Sequence, residues 1–103
     1  MTKADLFDVI ELLVDLPEYN LQAGNQGAIV ECYNDDQYEV EFTNSDGESL
    51  ALLTLDSRQF IVVWKANKKN WLPVSQQVAD IIIHLSEERQ QEVLNFARFL
   101  ARK

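Results

Sequence analysis

From Gly24 to Phe42 the chain reads Gly-Asn-Gln-Gly-Ala-Ile-Val-Glu-Cys-Tyr, then the polar connector Asn34, Asp35, Asp36 and Gln37, then Tyr-Glu-Val-Glu-Phe. An apolar run, a short polar connector and a run alternating with period two form the pattern of two antiparallel strands joined by a turn. The alternation places Tyr38, Val40 and Phe42 on one face, expected to fill a core. It places Glu39 and Glu41 on the other, toward water or a partner. Two strands bury too little by themselves, so the hairpin must sit within a larger sheet, read here as the centre of a small β-barrel. Such a fold carries many activities, so the sequence speaks more plainly about fold than about function.

The neighbouring segments supply the other strands. Asp5 to Leu16 suits a helix, through Leu6, Ile10, Leu13 and Val14, and also an almost continuous buried strand through Val9, Ile10, Leu12, Leu13 and Val14. Leu16-Pro17-Glu18-Tyr19-Asn20 then puts proline where it presets a turn, which favours a strand from about Phe7 to Val14 followed by a long loop to about Gln26. Gly24 and Gly27 can take positive φ or allow close backbone approach, and lead into a strand at Ala28 to Tyr33. After Phe42, Thr43 to Gly47 makes a turn with Gly47 in its left-handed position, and Ser49 to Leu55 makes the fourth strand. Asp56 to Gln59 is a short turn of 3₁₀ type. Phe60 to Trp64, β-branched and aromatic, is the fifth strand.

Beyond it the pattern changes. Residues 65–73, which include Lys65, Lys68 and Lys69 and end at Pro73, are polar, basic and aperiodic, and read as a linker. Val74, Val78, Ile81, Ile82 and Leu85 then fall on one face of a helix starting near Pro73 or Ser75. Ser86 can cap a second helix whose first turn holds Glu87 and Glu88. In that helix Gln91, Asn95, Arg98 and Arg102 form one narrow polar stripe, while Val93, Leu94, Phe96, Ala97, Phe99, Leu100 and Ala101 cover most of the rest. A helix apolar over so wide an arc has to be covered on more than one side, which one small barrel and one short helix do not provide. The fold class expected is therefore mainly β with C-terminal α: a five-stranded SH3-like barrel over residues 1–64, a linker over 65–73 and a helical hairpin over 74–103.

Two resemblances accompany these patterns. Phe7-Asp8-Val9-Ile10-Glu11-Leu12-Leu13, Leu16-Pro17-Glu18-Tyr19, the spaced glycines Gly24 and Gly27, Tyr38-Glu39-Val40-Glu41-Phe42 and Leu50-Ala51-Leu52-Leu53-Thr54-Leu55 together resemble a small bacterial family of unknown function, domain of unknown function family 4926, from about Leu6 to Val63. That resemblance implies an SH3-like fold and a bacterial origin, and brings no activity with it. The tail from His84 to Leu100 resembles the Leu-Pro-Glu-Glu-x-x-Gln-Glu-Val-Leu-Asp-Phe pattern of short antitoxin-like proteins, domain of unknown function family 2281. Ser86 stands here for the usual proline and Asn95 for the usual acid. This second resemblance implies a helix that meets a partner chain.

Charge narrows the partner. Residues 1–64 hold 13 acids against Lys3 and Arg58, a balance of −11, and residues 65–103 hold seven bases and four acids, +3, which together make the net −8. An acidic module repels phosphate backbones, which argues against nucleic-acid binding and for a basic protein partner. No apolar run approaches the roughly 20 residues of a membrane helix, and the first residues carry acids where a signal peptide is basic and apolar, so a cytoplasmic protein without membrane contact is expected.

Chemistry finds little footing. Asp35 with Asp36, and Asp46 with Glu48, are conceivable ligands or an acid/base pair, but they occupy turns, where Asp bonds to its own backbone. His84 stands alone between Ile83 and Leu85, without a second His or a nearby Cys. Cys32 has no second thiol and no activating base, and reads as a small buried hydrophobe. Lys65, Lys68 and Lys69 with Trp64 and Trp71 could grip a nucleic acid, yet three lysines are few, and a solvated linker with tryptophans packed on the barrel is preferred. Glu11, Glu18, Glu31, Glu39 and Glu41 either solubilise the barrel or steer a partner. The expectation is a non-enzymatic interaction module without cofactor or metal, antitoxin-like or immunity-like, binding a protein such as a toxin through Val93, Leu94, Phe96, Phe99 and Leu100, with Glu39 and Glu41 steering. The competing expectation is a homodimer or larger homo-oligomeric scaffold, or a small subunit of a complex, assembled through the same helices.

Overall fold

A computed structural model describes residues 1–34 and 36–103. Six strands, β1 (Val9–Leu12), β2 (Gln26–Cys32), β3 (Gln37–Thr43), β4 (Ser49–Asp56), β5 (Phe60–Lys65) and β6 (Asn70–Trp71), precede two helices, α1 (Val74–Ile82) and α2 (Glu87–Ala101). The strands form one antiparallel sheet in the order β4-β3-β2-β1-β5-β6. The protein is thus mainly β with two C-terminal helices. It departs from the expected five-stranded closed barrel in having a sixth strand and in leaving β4 and β6 as unjoined edges.

The sheet nevertheless curls strongly onto itself. Ile10, Leu12, Ile29, Tyr38, Val40, Phe42, Leu53, Leu55, Phe60 and Val62 make one buried cluster drawn from β1 to β5. Tyr38 of β3 and Phe60 of β5 are three strand positions apart, about 14 Å in a flat sheet at the usual strand spacing. Their ring centroids are only 5.6 Å apart, edge to face. The alternation in β3 does what the sequence implied: Tyr38, Val40 and Phe42 are buried, while Glu39 and Glu41 face outward and are half-buried.

Gly24, in the loop before β2, and Gly27, inside β2, serve different ends. Gly24 has φ +98°, a conformation that L side chains rarely adopt. Gly27 has none to spare in space: a Cβ there would lie 2.8 Å from Val40 Cγ1 and 2.9 Å from the Glu41 carbonyl oxygen. Gly47, at φ +82°, takes the left-handed position expected of it. The Asp56–Gln59 turn is a 3₁₀ turn closed by a capping box, with the Arg58 N–H donating to Asp56 Oδ1 at 2.8 Å and the Asp56 N–H to Gln59 Oε1 at 2.8 Å.

β1 is shorter than the strand expected over Phe7 to Val14. Phe7 adopts φ +72°, its N–H bonds to the Ile29 carbonyl, and residues 5–8 form a turn rather than strand. β5 is buried along both faces: Phe60 and Val62 enter the core, and Ile61 and Val63 lie on the opposite side. α1 packs against β5. Residues 65–73, expected as a linker, hold the end of β5 at Lys65 and fold back as β6, with Trp64 opposite Trp71 and Lys65 opposite Asn70.

Candidate partner-binding surface

α1 is anchored to the sheet and the N-terminal segment, while α2 is tied only at its start and buries none of its residues. Buried Asp80 accepts hydrogen bonds from Gln76 Nε2 at 2.9 Å and from the Thr2 N–H at 3.3 Å, tying α1 to the N-terminal segment. Burial pushes the Asp80 carboxyl up, but the two donors and the terminal ammonium outweigh it and hold its pKa below the usual value. Gln77 Nε2 reaches the Leu72 carbonyl at 3.0 Å, and Gln90 Nε2 bonds the Ile82 and Leu85 carbonyls, closing the end of α1.

From that junction α2 begins as the sequence implied. Ser86 is the N-cap, its hydroxyl accepting from the Arg89 N–H at 3.3 Å, and Glu87 and Glu88 occupy the positive first turn. Beyond it no residue of α2 is buried. Leu94, Phe96, Phe99 and Leu100 are each between 44% and 64% exposed, and Val93 is half-buried. At about 100° per residue, Val93, Phe96, Ala97 and Leu100 share one face, with Leu94 and Phe99 on its two flanks. The Phe96 and Phe99 rings stack 6.3 Å apart, and Lys103 Nζ sits 4.6 Å over the Phe99 ring. Five of the residues singled out in the sequence thus belong to one solvent-facing surface.

Glu39 and Glu41 lie elsewhere. They sit on the outer face of β3, where Glu39 accepts from Thr54 Oγ1 at 2.9 Å and from Tyr33 Oη at 3.2 Å. Among the described residues, no hydrogen bond or ion pair joins them to α2. They form a separate acidic patch with Glu31, which stands opposite Glu39 in the register of β2 and β3.

Other candidates resolve differently. Cys32 is exposed, not buried as expected: the irregularity at residues 29–31 brings it opposite Tyr38, but as the last residue of β2 it is left uncovered there. Partial desolvation, with the charges of Asp5, Glu31 and Asp8, raises its thiol pKa, the opposite of what a nucleophile needs. Asp46 and Glu48 belong to a turn organised by Asn44, whose Oδ1 accepts from both their N–H groups at 2.9 and 3.0 Å. Asp36 lies in the other turn, its N–H donating to Asn34 Oδ1; Asp35 lies outside the described residues. Among the described residues no group of three or more His, Cys, Asp and Glu side chains is placed to hold a metal ion.

The basic, aromatic stretch does not assemble into a patch. Lys65 turns inward, pairing with Asp8 and with Asp5 at 2.7 Å and donating to the Lys3 carbonyl at 3.1 Å. Lys68 and Lys69 stay exposed. The tryptophans were expected to pack on the barrel; Trp64 is half-buried, but Trp71, on the two-residue edge strand, is 60% exposed. Among the described residues the sequence leaves two buried charged sites unannounced, Asp80 and the Lys65 cluster. The cluster had a partial signal: Lys65 closes the run Phe-Ile-Val-Val-Trp, and Asp8 stands between Phe7 and Val9.

The family model described as Domain of unknown function (DUF4926) matches residues 6–62, more than half of the chain. The chain belongs to this family. The matched segment takes in β1 to β4 and β5 as far as Val62, with Asp8 inside it; Lys65, α1 and α2 lie beyond it. No curated protein and no solved structure matches the chain.

Proposed function

We propose that this protein is a non-enzymatic interaction module, antitoxin-like or immunity-like, that binds a basic partner protein through α2. The observation that carries the reading is the apolar arc of α2, solvent-exposed from Leu94 to Leu100 on a helix with no buried residue. Large apolar groups left in water at one place are the usual mark of a protein contact, and Phe96, Phe99 and Leu100 are of the size that dominates such contacts. The resemblance of residues 84–100 to antitoxin-like family 2281 points the same way. The division of labour is a sheet module, residues 1–64, whose −11 balance accelerates encounter with a basic partner, and a helical tail, residues 74–103, that supplies buried area and occludes the partner's working surface. The sheet is read as an SH3-like barrel, supported by the order β4-β3-β2-β1-β5 and by its curl, and the site of action as the cytoplasm.

Co-expression with the product of the adjacent gene tests the reading. A complex that survives size exclusion and is lost with Phe96→Asp and Leu100→Asp is expected; a monomer that forms no complex contradicts it. The second reading is a homodimer or a homo-oligomeric scaffold built through α2. It is favoured by the helix's charge order, with Glu87, Glu88 and Glu92 against the single base Arg89 in its first half and Arg98, Arg102 and Lys103 at its end, so that two antiparallel copies set net acid against net base. A stable dimer of the isolated chain selects it.

A further inference from the structure

The two edges of the sheet are treated differently. β6 is two residues long and follows Lys68 and Lys69, and shortness and lysines are the usual means of keeping an edge strand from pairing. β4 has neither protection. It runs eight residues, Ser49–Asp56, with no proline, lysine or arginine. Among the described residues no strand pairs with its outer side, and no backbone hydrogen bond outside the ladder to β3 engages residues 50–55. After an irregularity at residue 50 it keeps unbroken register with β3 from Ala51 opposite Phe42 to Leu55 opposite Tyr38. Leu50 and Leu52 point outward, 57% and 56% exposed.

A groove of about 490 Å³ follows this edge, within the size range of ligand-binding clefts. Four consecutive residues, Leu52 to Leu55, line it. Because successive strand side chains point to opposite faces, four in a row can border one groove only where it runs along the strand's rim. Tyr19 and Gln59 stand across from them, and the charged side chains lining it are Glu18 and Glu39, with no base among the lining residues.

We infer that the free edge of β4 is a docking site for an extended, lysine- or arginine-bearing segment of a partner protein, which joins the sheet as a further antiparallel or parallel strand. Backbone pairing supplies the attachment, as in other strand-addition complexes, and Glu18 and Glu39 select basic side chains. A second copy of this chain is the poorer occupant, because β4 is bracketed by Glu48 and Asp56 and belongs to the −11 module, so pairing two β4 edges brings like charges together. The site is independent of α2.

The test uses the full chain and a peptide of about ten residues alternating Lys and Val, long enough to cover β4, with a Glu/Val counterpart. Amide exchange is followed across residues 51–55, and binding by fluorescence anisotropy at low and high salt. The Lys/Val peptide slows exchange of these amides at low salt, and Leu52→Lys and Glu18→Lys, both at exposed positions, each weaken it by about tenfold. Phe96→Asp leaves this binding unchanged, which separates the edge from the α2 surface. Absence of protection with the Lys/Val peptide, or equal protection by the Glu/Val peptide, overturns the inference. So does protection that appears without peptide and grows with protein concentration, since that assigns the edge to a second copy.

Discussion

Asp8 and Lys65 lie 57 residues apart and meet with almost no exposure, Asp8 also taking the N–H groups of Asp5 and Ala66. Burial disfavours the Lys65 ammonium, but hydrogen bonds to Asp5 and Asp8 and their charges more than offset this and raise its pKa above the ordinary value. A raised pKa means stability that is fully present below about pH 10 and lost as pH rises through the folded value. An alkaline titration of the urea midpoint is expected to show that loss, and Lys65→Met to abolish it. Lys65→Met also strands a buried carboxylate, which costs about 3–5 kcal/mol, more than any exposed lysine replacement. Gly27→Ala is a sharper residue test of packing. Its new methyl meets Val40, Phe42 and the Glu41 backbone below 3.0 Å, so a loss of about 1–3 kcal/mol in urea unfolding is expected. A charge set in an apolar run marks Lys65 and Asp8 each by itself, but not that they meet, since a pair of this separation leaves no local periodicity, whereas the glycine spacing did flag a turn or a close approach.

At the level of elements, legibility followed periodicity. β3 declared itself because a strand with one buried face must alternate, β5, buried on both faces, by its run of β-branched and aromatic residues, and Ser86 with Glu87 and Glu88 marked the start of α2 by capping chemistry. β6 did not, since two residues set no period and their partners lie across a turn. Cys32 differs from the expectation for a related reason: it is the last residue of β2, and whether anything covers a strand's final residue cannot be seen in a propensity pattern. The residues of the α2 surface were legible as an apolar arc, but only the structure separates them from Glu39 and Glu41. Two expectations belong at this scale. Phe96→Asp and Leu100→Asp leave the urea midpoint within about 0.5 kcal/mol of the parent, because both side chains are already in water. Ser86→Ala, by contrast, removes the cap and weakens α2 by about 1 kcal/mol, read as faster amide exchange in its first turn.

The whole molecule joins an acidic, self-curled sheet to a helix that gains nothing by folding alone. α1 belongs energetically with the sheet, through β5 and through Asp80, whose lowered pKa makes its contribution present above about pH 4 and lost as pH falls through the folded value. α2 contributes surface rather than core. Truncation after Leu85 is therefore expected to leave the sheet's cooperative unfolding in place while removing association. The most direct test of the α2 reading is light scattering on the size-exclusion peak of the full chain co-expressed with the adjacent gene's product, beside the Phe96→Asp, Leu100→Asp variant. A heteromeric complex for the parent chain and a folded, uncomplexed variant is the result predicted; a parent chain that elutes as a lone monomer, or a complex indifferent to both substitutions, contradicts it.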